Sequence, residues 1–190
     1  MSSNLLARDA PGSKLTRKVA TNLFLLLVSV YVLTSSGNTV DVTDDSILRQ
    51  AVTENLVVYG AFAIPGEIGR RWGLRGVDGQ YYTNHGLGQS LLAVPFFMAG
   101  SVAGNAKFGV SLLGPLVSAS SCVVLFLLAL RIGFKTRRAA STALIAGLCT
   151  QIWAESKSPF DHHIETLCVL VCVWQLVSFR DDEHRWRLVL

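Results

Sequence analysis

The chain has 190 residues, 51% hydrophobic and only 16% charged, with a formal net charge of +4. A soluble domain normally carries about 25% charged residues, so the shortfall and the long apolar blocks exclude that class and indicate a membrane protein. The bases flank apolar segments instead of interleaving with aromatics, which reads as membrane orientation and excludes a nucleic-acid surface.

Residues 1–18 form a basic tail containing Arg8, Lys14, Arg17 and Lys18. The apolar run from Val19 to about Ser35 has no small-x-small cleavage box, so it reads as an uncleaved first transmembrane helix. Its basic flank places the N-terminus in the cytoplasm. A polar insert, Thr39–Pro95, follows within an external loop expected over 36–108. Asp44 or Asp45 is positioned to cap a helix through Ile47, Leu48, Ala51, Val52, Leu56 and Val57, an amphipathic spacing suited to the membrane surface. Pro65-Gly66 ends it. A Gly-rich loop is expected next, with Arg70, Arg71, Trp72, Arg75, Tyr81 and Tyr82 at the level of the headgroups.

Gly86–Gly104, which contains Gln89, Ser90 and Pro95, is ambiguous between a span and a surface helix. Charge counting decides for the latter. If it spanned, Val110–Leu130 would run outward and leave Arg131, Lys135, Arg137 and Arg138 outside, against the positive-inside rule. Otherwise that cluster is cytoplasmic, Ala139–Ala154 runs outward, 155–163 forms a second external loop, and Ile164–Phe179 returns to a cytoplasmic end at 181–190. The expected fold is therefore all-α integral membrane, with about four transmembrane helices plus surface-lying or re-entrant helices in the first external loop. Five spans is the alternative. Residues 19–180 form one transmembrane domain.

Three polar stretches could carry chemistry. Asp41, Asp44 and Asp45 stand past the outer end of the first helix, placed to act as a general base or to hold a cation; composition alone favours capping and solvated surface charge. The turn DGQYYTNHGLGQ offers Tyr81, Tyr82 and His85 to a sugar or lipid phosphate, or simply forms an interfacial aromatic belt. The loop with Glu155, Lys157, Asp161, His162, His163 and Glu165 packs charge between apolar segments, where ionisable groups tend to be functional. Lys157 and the histidines suit a phosphate. Asp161, His162 and Glu165 also have metal-ligand character, but without a second ligand cluster no metal is assigned, and solvation of a plain loop is the competing reading. The four cysteines, Cys122, Cys149, Cys168 and Cys172, all lie in apolar segments and read as small hydrophobes.

The stretches VDVTDDSILRQAVTENLV, DGQYYTNHGLGQSLLAVPFF and ALIAGLCTQIWAESKSPFDHHIETLCVLVCVW, in that order, resemble the N-terminal part of the polyprenyl-phosphate-dependent membrane glycosyltransferases. That group includes the protein O-mannosyltransferases and the aminoarabinose transferases. The resemblance implies sugar transfer from a lipid-linked donor on the extracytoplasmic face of the cell (inner) membrane. It implies a catalytic carboxylate at Asp44 or Asp45, with Asp41 next, and substrate contacts at Tyr81, Tyr82, His85, Gln89, Lys157 and His162. Asn84 stands where the family often has Lys. The implied partners are the lipid-linked sugar and membrane lipids; a cofactor is not specified. Family members have more transmembrane helices, and this chain stops at HRWRLVL, where another apolar helix starts. A fragment, or a half that works with another membrane subunit, is therefore expected. A non-catalytic membrane subunit or lipid-binding scaffold is the alternative.

Overall fold

The computed structural model describes residues 13–39, 43–158 and 160–181. Asp41, most of the basic tail and nearly all of the 181–190 end lie outside these residues. The chain is mostly helical, 74% helix and 3% strand. It contains α1 (Lys14–Leu33), α2 (Asp44–Tyr59), α3 (Gly66–Trp72), β1 (Leu74–Arg75), β2 (Tyr81–Tyr82), α4 (Gly88–Val102), α5 (Ala106–Ser111), α6 (Leu113–Arg131), α7 (Thr136–Cys149), α8 (Gln151–Glu155) and α9 (His162–Asp181). Among the described residues, three helical runs are long and apolar enough to cross a membrane: Lys14–Leu33, Ala106–Arg131 and His162–Phe179. The fourth expected span, 139–154, is divided at Thr150 into helices of 14 and 5 residues. Fourteen residues rise about 21 Å, less than the roughly 30 Å hydrocarbon layer.

Two compact units divide the chain. One holds the described residues up to Leu33, Pro115–Ser156 and the described residues from His162 onward; the other holds those between Thr34 and Gly114, with Lys157, Ser158, Phe160 and Asp161.

In the first unit, α1 begins at Lys14, earlier than the apolar run alone implied, because the Ser13 hydroxyl accepts the Thr16 N–H at 3.1 Å. Leu23, Leu27 and Tyr31 recur every four residues and form its buried face. They meet Ala119, Cys122 and Phe126 of α6 and Ala139 and Ala143 of α7. On α7 the buried positions Ala139, Ala143 and Gly147 make a small-residue seam that admits close helix approach. A Cβ at Gly147 would stand 2.9 Å from the Tyr31 hydroxyl, which donates to the Gly147 carbonyl at 2.8 Å. Leu25, Leu26, Val169 and Leu176 face outward on α1 and α9. Cys122 is buried, whereas Cys149, Cys168 and Cys172 are exposed thiols, so only the first packs as a core hydrophobe.

In the second unit, α2 forms where its apolar spacing predicts, but its cap is neither aspartate. Thr43 is the N-cap, in a reciprocal capping box with Ser46, and Asp44 and Asp45 occupy the first turn. The helix stops at Gly60, in left-handed backbone at φ 67°, before Pro65 is reached. The stretch expected as loop is ordered into α3 and a hairpin, with Leu74 opposite Tyr82 and Arg75 opposite Tyr81. The Ile64 N–H extends the pairing to the Tyr81 carbonyl at 2.7 Å. Helix α4 continues through Pro95 and turns tightly into α5, whose first turn is capped by the Asn105 side chain. Gly100 and Gly109 make that turn possible. A Cβ at Gly109 would lie 2.3 Å from the Phe96 carbonyl oxygen and 2.8 Å from the Gly100 Cα.

Candidate functional site

Burial along α2 is wider than its apolar stripe. Leu48, Ala51 and Val52 are buried as the pattern predicts, and so are Arg49, Gln50 and Thr53. The cause is α4. The Ser90 hydroxyl donates to the Arg49 carbonyl at 3.1 Å, and the Thr53 hydroxyl donates to the Ser90 carbonyl at 3.2 Å. Helix α2 is therefore packed on a second side within this unit.

This packing sets up a ladder of charged and polar pairs. Asp45 and Arg49 share a face of α2 at i,i+4 spacing. Asp45 Oδ1 lies 2.9 Å from His85 Nε2, just ahead of α4, with the two side chains 40% and 20% exposed. One turn along, Arg49 Nη1 donates to Gln89 Oε1 in the first turn of α4. The same nitrogen lies 3.1 Å from Asp161 Oδ2. The Arg49 side chain is thus shared between an amide and a carboxylate, while its Nε is buried with no hydrogen-bond partner. Lys157 Nζ stands 3.5 Å from Thr34 Oγ1, so both ends of the 157–161 segment touch this unit.

Of the residues expected from the sequence, Asp45, His85 and Gln89 come together here. Asp44 is exposed on the same first turn of α2. Tyr81 and Tyr82 serve the hairpin. Tyr82 donates to Asp78 Oδ2 at 2.6 Å, and Asp78 Oδ1 accepts the Gln80 N–H at 3.1 Å. The Tyr82 hydrogen bond holds the Asp78 carboxyl below its ordinary range, helped by the Gln80 N–H. The same bond holds the Tyr82 phenol above its own. His162 belongs to the other unit, where its Nδ1 lies 3.3 Å from Glu165 Oε2.

Arg49 is the residue that sequence reading passed over. An aspartate four residues before an arginine normally marks a solvated helix pair. The sequence carried no sign of its burial, because Arg49 lies outside the apolar stripe of Leu48, Ala51 and Val52. Chemically the group offers a half-exposed carboxylate held by an imidazole, beside a buried guanidinium whose partners come from two other segments. Comparisons with protein-family models, curated proteins and solved structures give no match to this chain.

Proposed function

We propose that this chain is a membrane-embedded transferase that moves a sugar from a polyprenyl-phosphate-linked donor to an acceptor on the extracytoplasmic face. The observation that carries the reading is the shared position of Asp45, His85, Arg49, Gln89 and Asp161, one or more from each of the three stretches that resemble the glycosyltransferase family. In this reading Asp45, oriented by His85, takes the proton of the acceptor hydroxyl as that oxygen bonds to the anomeric carbon. The bond from that carbon to the lipid phosphate breaks. Arg49 and Lys157 supply positive charge to the departing phosphate.

The Arg49–Asp161 contact favours a fourth crossing, and the basic tail favours a cytoplasmic N-terminus. Three crossings would place residues 157–161 on the opposite side of the membrane from α2, where Asp161 could not reach Arg49. In the four-crossing reading the chain returns across the bilayer between Arg131 and Lys157, through α7 and α8. Such a path also keeps Arg131, Lys135, Arg137 and Arg138 in the cytoplasm.

The test is transfer from a labelled lipid-linked sugar by membranes containing the full chain. Asp45→Asn is expected to lower transfer by about 10²–10⁴-fold, the usual contribution of a positioned base, with Asp44→Asn affected far less. Undiminished transfer in Asp45→Asn removes the carboxylate mechanism. Asp45 and Arg49 are each already paired within the chain, a state that a lipid-binding scaffold would equally keep. A stable chain that transfers nothing but co-purifies with another membrane protein identifies that second reading. Labelling of Thr136→Cys from outside the cell overturns the four-crossing path.

A further inference from the structure

The first unit holds a half-open cavity of about 270 Å³, lined among others by Ser118 and Ser121 of α6, Gln151 and Glu155 of α8, and His163 of α9. Two of these helices lie in apolar runs long enough to cross a membrane, where polar side chains gathered around a cavity mark function. Three serines on α6 show how its polar groups are used. Ser120 and Ser121 donate back to the Leu116 and Val117 carbonyls at 2.8 and 3.0 Å, the ordinary way for a helical serine to satisfy itself. Ser118 does not. It is 1% exposed, it lines the cavity, and its hydroxyl has no hydrogen-bond partner among the described residues.

Glu155 presents the matching group from α8. One of its oxygens, Oε1, accepts the Gln151 amide at 3.0 Å, which fixes the carboxylate. The other, Oε2, is buried and has no hydrogen bond among the described residues. An acceptor-only carboxylate oxygen and an unmatched hydroxyl therefore line one cavity, beside His163, which is 3% exposed.

We infer that this cavity binds a small primary ammonium ligand, with Glu155 as its counter-ion and Ser118 as a hydrogen-bond acceptor. An ammonium has three donors and no acceptor, which complements these two atoms, and its charge offsets that of the carboxylate. A neutral alcohol offers one donor and no charge. An anion would face Glu155 directly. The inference concerns binding alone and does not rest on sugar transfer.

The test uses the purified full chain in detergent micelles, titrated calorimetrically with n-butylammonium, n-butanol and n-butyrate. Saturable binding of n-butylammonium, at least about tenfold tighter than n-butanol, is expected from a charge-assisted hydrogen bond. Glu155→Gln should abolish that preference, and Ser118→Ala should weaken n-butylammonium binding several-fold. Absence of saturable binding, which leaves the cavity holding water alone, overturns the inference. So does equal affinity for the alcohol, or an unchanged preference in Glu155→Gln. The comparison of the three probes on the unaltered chain decides the matter even where a variant fails to fold.

Discussion

Replacing Asp161 by Asn should open α2 locally, because Arg49 is 8% exposed and loses the carboxylate that offsets its charge. At 3.1 Å and an effective dielectric constant of ~20, the pair's attraction is about 5 kcal/mol. Desolvating the guanidinium opposes this with a penalty of several kcal/mol, so the intact pair contributes little net stability. Removing one partner is different, since the desolvation remains without the attraction. That loss is about 3–5 kcal/mol for a fully buried pair, and the 34% exposure of the Asp161 side chain reduces it to about 2–3 kcal/mol. Hydrogen exchange of the α2 amides in micelles reads the change directly. Exchange through local opening should quicken roughly 30- to 100-fold in Asp161→Asn, a tenfold change for each 1.4 kcal/mol. The double variant Arg49→Met with Asp161→Asn should return to within several-fold of the unaltered chain, because neither the buried charge nor its penalty is left. Exchange in Asp161→Asn within threefold of the parent would refute the reasoning, as would a double variant as fast as the single one.

Gly109→Ala should destabilise the α4–α5 turn by about 1–3 kcal/mol, since the new methyl meets backbone that cannot swing aside; thermal unfolding in micelles measures it. Gly86→Ala, with nothing within 4 Å of the added atom, is the neutral control. Tyr31→Phe should cost about 1 kcal/mol by leaving the buried Gly147 carbonyl without its donor, read as a lowered unfolding midpoint. The Asp78–Tyr82 contact should persist while free carboxylates protonate and be lost only as pH falls through the lowered Asp78 value. At the alkaline end, Tyr82 should ionise above free tyrosine, and the contact should be lost as pH rises through that raised value. Tyr82 ring NMR shifts followed against pH test both limits, and Asp78→Asn should abolish the displacement at each end.

The long apolar runs and the 3.6-residue period of α2 were legible because both are local properties of the chain. Thr43 displaced the aspartates as the cap because its side chain and that of Ser46 satisfy one another's backbone, a reciprocal fit visible only once the turn is formed. The hairpin went unseen for a similar reason: its strands are two residues each, too short for any alternation to register. Asp45 and His85 were each nameable from the sequence, but their pairing was not. It depends on α2 aligning with α4 and the turn just ahead of it, so that Asp45 meets His85 while Arg49, one turn along, meets Gln89. Arg49 was lost altogether, because its buried state comes from Ser90 and Asp161, far along the chain. The division of the fourth apolar stretch turns on Thr150, whose hydroxyl accepts the Ile152 N–H and starts a new helix within a run that looks continuous by composition.

The way 157–161 rejoins the second unit has a consequence for biosynthesis. Thr34 and Lys157 are 123 residues apart, and everything between Gly114 and Lys157 belongs mainly to the other unit. While the ribosome is still making α7, the helix carrying Arg49 is complete but its carboxylate does not yet exist. Its guanidinium has no carboxylate partner from this segment until Asp161 is made. The ion pair therefore closes only after the whole of Pro115–Ser156 has been made. In that sense Arg49 ties the completion of α2 to a carboxylate made long after the helix itself.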